Sequence, residues 1–114
     1  MQTDRYFRFI PYGKAIATLA TAGVTLEQAL DFAAFHDLTP DDVVVMVAKG
    51  CTPQRVNDTL PGIDFAKRLM KQPGREPDGL AVLRTCAADI APYMDLKQAY
   101  ATAKRELREG ATIH

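Results

Sequence analysis

Residues 39–50 read TPDDVVVMVAKG, and their conformation determines whether the chain contains a β-sheet. Four valines within residues 43–47 favour a strand, because β-branched side chains lose rotamer freedom in a helix. Thr39 and Pro40, however, are typical of a helix N-cap and a first helical position, and Gly50 is typical of a helix end. No second segment offers a partner strand, so the sequence predicts a helix here.

The same start and stop signals recur on the N-terminal side of this helix. Pro11 is predicted to open a first helix that stops at Gly23. Thr25 and Gln28 have the spacing of a capping box, and they predict a second helix that runs to about His36. The segment Arg5 to Ile10 is rich in aromatic residues and is compatible with a strand, a helix or an extended arm.

The C-terminal side is predicted to contain three or four more helices. Thr52-Pro53 open a short helix to about Leu60, and Pro61-Gly62 are expected to break it before another helix begins at Ile63. Residues 72–79, which contain two prolines and two glycines, predict a linker. Two helices within residues 80–110, over about 80–91 and 95–109, are then expected to form a C-terminal helical hairpin.

The predicted fold class is all-α, with six to seven short helices in a single compact domain over residues 1–114. A chain of 114 residues with 47% hydrophobic and 25% charged residues is long and apolar enough for one core. Residues 12–71 form the predicted helical cluster, at whose centre three helices are arranged like a helix-turn-helix.

Several function classes find no support in the composition. The chain has no serine, and it contains no zinc-binding, Walker or dinucleotide motif, so we expect a non-enzymatic protein without metal or cofactor. Cys51 and Cys86 are expected to be small buried hydrophobic residues rather than a disulfide. The first ten residues resemble neither a signal peptide nor a membrane span, which predicts a cytoplasmic protein without membrane contact.

Residues 50–57, GCTPQRVN, carry the most informative pattern in the chain. Gly50 permits a positive φ in a turn, Cys51 fits the angle between two helices, Thr52 caps a helix and Val56 faces the core. The pattern resembles the turn and recognition-helix start of bacterial and phage helix-turn-helix regulators, over about twenty residues.

This resemblance implies a regulatory protein that binds DNA. It turns polar side chains outward from the recognition helix, where Gln and Asn suit adenine edges and Arg suits guanine or phosphate. Lys and Arg residues farther along the chain would contact the DNA backbone. The implied nucleic-acid-binding residues are Thr52, Gln54, Arg55, Asn57, Lys67, Arg68 and Lys71.

Charge is segregated along a chain whose formal net charge is zero. Residues 26–48 contain five acids and no Lys or Arg, whereas residues 49–75 contain six bases against two acids. A basic segment at the recognition helix favours DNA as the partner. An acidic surface beside a basic one is equally typical of a protein-binding adaptor or inhibitor, which is the alternative function.

The last helix carries an apolar stripe that predicts either core packing or a homodimer interface. A helix-turn-helix normally binds DNA as a two-fold dimer, so some element must supply that contact. The candidate interface residues are Leu96, Ala99, Tyr100, Ala103 and Leu107.

Overall fold

The structure, a computed structural model, describes residues 6–112, with side chains as far as Glu109. Within these residues there are six helices and no strand, which confirms the all-α fold class. The helices are α1 (Tyr12–Thr21), α2 (Leu26–Phe35), α3 (Pro40–Ala48), α4 (Pro53–Met70), α5 (Glu76–Asp89) and α6 (Ala91–Thr112).

Helix α3 is the centre of the fold, and the valine run 43–47 is helical as predicted. Thr39 forms a capping box with Asp42, and Gly50 follows the helix with a φ of 87°. Val43, Val44 and Val47 are all buried, because α3 packs against both α1 and α2. Burial on two sides offsets the rotamer cost of β-branched residues in a helix.

Helix α4 does not break at Pro61-Gly62, so the two separate helices predicted for residues 52–70 are wrong. It is one helix of 18 residues with Pro61 inside it. A proline in a helix loses one backbone hydrogen bond, here to the carbonyl of Asn57. Both residues are exposed, so water can satisfy that carbonyl. The helix continues because Val56 and Ile63, on either side of the proline, are both buried.

Helices α4 and α5 form a long antiparallel hairpin. Gly79 permits their close approach, since a Cβ at this position would lie 2.8 Å from the backbone oxygen of Ala66. The predicted linker over 72–79 is shorter in the structure, because α5 already begins at Glu76. Residues 80–110 were expected to pair with each other as a hairpin, whereas the structure packs α5 mainly along α4.

Helix α6 crosses the C-terminal end of α2 and the N-terminal end of α3. It begins just after the buried Ile90, with Pro92 in its first turn. Lys97 donates a 2.6 Å hydrogen bond to the backbone oxygen of His36, and the Tyr100 hydroxyl donates one of 2.6 Å to Asp42. These bonds attach the first half of α6 to the core, and nearly all side chains described beyond Tyr100 are exposed.

Residues 6–10 form an arm without regular secondary structure, while Arg5 lies outside the described residues. The carboxylate of Asp41 holds this arm. It accepts hydrogen bonds from the backbone N–H groups of Arg8, Phe9 and Ile10 at 2.8, 3.1 and 3.3 Å. Residues 6–10 are therefore an arm rather than a strand or a helix.

One hydrophobic core joins the elements into a single unit. It draws buried side chains from α1 through α4, from Ile90 and from Tyr93 of α6. Cys51 is buried in it, as predicted, whereas Cys86 is only partly buried; both cysteines are free thiols. The principal extents are 57 × 46 × 19 Å. The smallest extent corresponds to about two helix diameters, so the helices form about two layers.

Candidate binding cleft between α2 and α4

The turn before α4 has the local features that the sequence predicts for residues 50–56. Gly50 has a positive φ of 87°, and Cys51 and Val56 are buried. The Thr52 hydroxyl accepts a 3.2 Å hydrogen bond from the backbone N–H of Arg55, which caps the helix. Local sequence rules therefore predict this turn correctly.

The outward polar residues at the start of α4 are engaged in contacts within the chain. The Gln54 amide donates a 2.9 Å hydrogen bond to Asp58, one helical turn farther along. The guanidinium of Arg55 forms an ion pair of 2.9 Å with Asp89 at the end of α5. Arg55 thus points toward α5. The carboxylate of Asp89 lies beside this arginine, which is the side chain that would contact DNA.

The Lys and Arg residues that were predicted to contact the DNA backbone lie at the other end of α4. Lys67, Arg68 and Lys71 are all exposed, in the last turn of the helix or at its C-cap. At 1.5 Å of rise per residue they are about 18–24 Å from Arg55 along the helix axis. The structure therefore does not bring the two predicted groups together in one patch.

A cleft of about 790 Å³ lies between α2 and the start of α4, and we call it the α2–α4 cleft. It contains Thr52, Gln54 and Asn57 from the predicted set, together with residues that the sequence did not single out. Its lining consists of Ala22, Gly23, Val24, Gln28, Asp31, Phe32, Phe35, His36, Thr52, Pro53, Gln54 and Asn57.

Aromatic side chains of α2 shape the apolar part of the cleft. Phe32 and Pro53 are buried, whereas Phe35 is 83% exposed. Asp31 is one helical turn before Phe35 on the same exposed side of α2. The cleft thus combines a buried apolar surface, an exposed aromatic ring and a carboxylate.

His36, the C-cap residue of α2, lies buried at the cleft wall. Its Nδ1 is 3.1 Å from the Tyr93 hydroxyl, and its ring stacks on Phe32 with 4.1 Å between ring centroids. Burial lowers the pKa of His36 below its usual value; a hydrogen bond with Asn57 opposes this shift, and the charge of Lys97 adds to it. His36 is accordingly neutral at pH 7.

Among the described residues that line the cleft, Asp31 is the one acid. No Lys or Arg is among these lining residues; the nearby Lys97 lies behind the His36 wall, where it donates a hydrogen bond to the backbone oxygen of His36 and its charge acts on the His36 ring. Glu27, one turn before Asp31 on the exposed side of α2, adds negative charge next to it. The cleft is therefore suited to a ligand with an apolar part and a positive charge.

The candidate dimer stripe of α6 is divided between the core and the surface. Leu96 and Tyr100 pack against the hydrophobic core. Ala99, Ala103 and Leu107 are exposed, Leu107 by 75%. The exposed part is thus narrower than the full stripe.

Sequence reasoning missed the aromatic wall and the contact with α6. Phe35 falls off the apolar stripe of α2, so an exposed aromatic residue could have been noticed from helical periodicity. The bond from His36 to Tyr93 spans 57 residues of sequence and has no local signal.

The chain matches no protein-family model, no curated protein and no solved structure. In the described residues, none of the helices is both long and apolar enough to cross a membrane.

Proposed function

We propose that this protein is a binding module that docks a segment of a partner protein in the α2–α4 cleft, as an adaptor or inhibitor would. The observation that carries this proposal is Phe35, a large aromatic side chain that is 83% exposed beside a concave, partly apolar surface. Exposed aromatic residues at concave sites are typical of protein interfaces, where such side chains supply much of the binding energy.

The polar lining also fits a peptide ligand. The amide of Asn57 and the hydroxyl of Thr52 lie around the apolar floor. Such groups can bond the backbone N–H and C=O groups of a bound segment, which would otherwise lose their hydrogen bonds to water.

A matched pair of surface substitutions tests the proposal. Phe35→Ser removes the cleft aromatic, and Phe9→Ser removes an equally exposed ring that is outside the cleft lining. Immobilised wild-type protein and both variants are incubated with nuclease-treated lysate of the source cells, and the captured protein is then purified and titrated directly.

We expect the purified partner to bind wild type and Phe9→Ser alike and to lose at least roughly tenfold in affinity for Phe35→Ser, as hot-spot truncation does. Equal binding of the two variants would overturn docking at this cleft.

A second candidate function is DNA binding through α4, favoured by the φ of Gly50 and the burial of Cys51 and Val56. It ranks second because Arg55 is paired with Asp89. A gel-shift assay with a random duplex library, at low and high salt, tests it.

If α4 reads DNA, Arg55→Ala should lose sequence preference, whereas a Lys67/Lys71 double substitution to alanine should weaken binding to all sequences alike. Asp89→Asn should strengthen binding, because it removes negative charge beside Arg55. An absence of shifted DNA at low salt would exclude this function.

A further inference from the structure

We infer that the α2–α4 cleft selects a partner segment in which a Lys or Arg side chain adjoins an apolar one. The inference rests on the proposed docking function and specifies the chemistry of the ligand. The cation would lie over the ring of Phe35 with its charged group at Asp31, and the apolar side chain would contact Phe32 and Pro53.

The spacing of Asp31 and Phe35 provides the subsite for the cation. Residues four apart on a helix are neighbours, with Cβ atoms about 5–6 Å apart. The ring of Phe35 meets that of His36 edge to face, with centroids 5.0 Å apart, and the side chain remains largely exposed. A guanidinium or ammonium group can therefore lie against Phe35 and reach the carboxylate of Asp31.

Charge around the cleft makes this subsite selective for a cation. Asp31 forms no ion pair with any residue in the range 6–109, so its charge is not neutralised within that range. The base closest along α4, Arg55, is held by Asp89. A positively charged side chain is thus attracted to the opening, and a negatively charged one is repelled.

The apolar subsite lies deeper, next to the cation subsite. Phe32 is one position after Asp31 and is buried, and Val24 and Pro53 complete an apolar surface between the two helices. A leucine-sized side chain next to the cation would cover this surface. The adjoining apolar residue is therefore part of the recognised segment.

Three heptapeptides test the inference. They are identical except at the central residue, which is arginine, glutamine or glutamate, with leucine on both sides. Each is titrated into the isotope-labelled full chain, and affinities are obtained from amide chemical shifts. We expect the arginine peptide to shift amides in residues 31–36 and 53–57 and to bind roughly threefold or more tighter than the glutamine peptide.

Asp31→Asn should abolish this preference, and Asp31→Lys should transfer it to the glutamate peptide. Glu27→Gln is the matched control, because it removes one exposed acid from the same helix without altering the cleft lining. The control should retain the arginine preference.

Several results would overturn the inference. These are equal affinity for the arginine and glutamine peptides, equal effects of Asp31→Asn and Glu27→Gln, an absence of shifts with every peptide, or concentration-dependent shifts of the cleft without any peptide. Partner capture that Phe35→Ser abolishes would still support docking at the cleft, so failure of the charge selection is distinguishable from failure of the proposed function.

Discussion

Asp89, the last residue of α5, binds Arg55 in the first turn of α4 through an ion pair of 2.9 Å. Its second carboxylate oxygen accepts a 3.3 Å hydrogen bond from the hydroxyl of Thr59. One carboxylate thus joins the C-terminal end of α5 to the first half of α4. Both side chains of the ion pair are about half exposed, which limits its contribution to stability.

A double-mutant cycle on Arg55→Ala and Asp89→Ala should give a coupling energy of about 0.2–1 kcal/mol, as for other exposed pairs. The measurement is urea unfolding of the wild type, both single variants and the double variant. A coupling above about 2 kcal/mol would mean that the pair is shielded from water in solution.

Asp41→Ala should lower the free energy of unfolding by about 2–3 kcal/mol, because three backbone donors of the arm lose a charged acceptor. Asp64→Ala, at an exposed position of α4, is the control and should change stability by less than about 0.5 kcal/mol. Urea unfolding measures both, and limited proteolysis should cut the arm faster in Asp41→Ala. Similar stability of the two variants would contradict this role of Asp41.

Gly79→Ala should destabilise the protein by about 1–3 kcal/mol, since the new Cβ would overlap the backbone of α4 at Ala66 and Met70. Gly13→Ala is the matched control. Gly13 lies in α1 with open space around its Cα, so alanine there should add about 0.5–1 kcal/mol. The unfolding temperature should therefore fall for Gly79→Ala and rise for Gly13→Ala. A stabilising effect of Gly79→Ala would disprove the close approach of α4 and α5.

Stability should fall as the pH drops through about 6.5, because the buried His36 has a lowered pKa and the unfolded chain takes up a proton more readily. The stabilising contribution of the neutral His36 side chain is fully present above this pH. The free energy of unfolding should therefore be lower at pH 5.5 than at pH 7.5. His36→Gln should flatten the dependence measured by urea unfolding, and an unchanged slope would assign the effect to other groups.

If the protein is a monomer, Leu107→Glu should leave the unfolding temperature nearly unchanged, because Leu107 is 75% exposed. Tyr100→Phe should lower the free energy of unfolding by about 1 kcal/mol, since it deletes the 2.6 Å hydrogen bond to Asp42.

If the exposed part of the α6 stripe forms a homodimer, light scattering should give about twice 12.5 kDa for the wild type and the monomer mass for Leu107→Glu. A wild-type monomer would contradict the dimer.

Much of the fold could be predicted because helix starts depend on nearby residues. Thr25 and Thr39 each bond the backbone three residues away, so their capping boxes are visible in the sequence. Pro61 shows the limit of such reasoning. Whether a helix continues past a proline depends on what its flanking residues contact, and Val56 and Ile63 are buried by distant segments.

The candidate site was harder to predict than the fold. Thr52, Gln54 and Asn57 were identified from a local pattern, and they do lie together in the cleft. The opposite wall comes from α2, and the partner of His36 is Tyr93, far along the chain. Arg55 is exposed, as the sequence predicts, but its ion pair with Asp89 depends on how α5 returns along α4. Such relationships arise from tertiary packing, which local propensity does not encode.

Because α4 passes unbroken from the core cluster into the hairpin, it also couples the folding of these two parts. Val56 contributes to the core near α3, and Ala66 packs against α5 within the same helix. Neither part can form its native contacts without ordering one half of α4, and helix formation favours extension of a turn that already exists. The cluster and the hairpin should consequently unfold in one cooperative transition rather than in two steps.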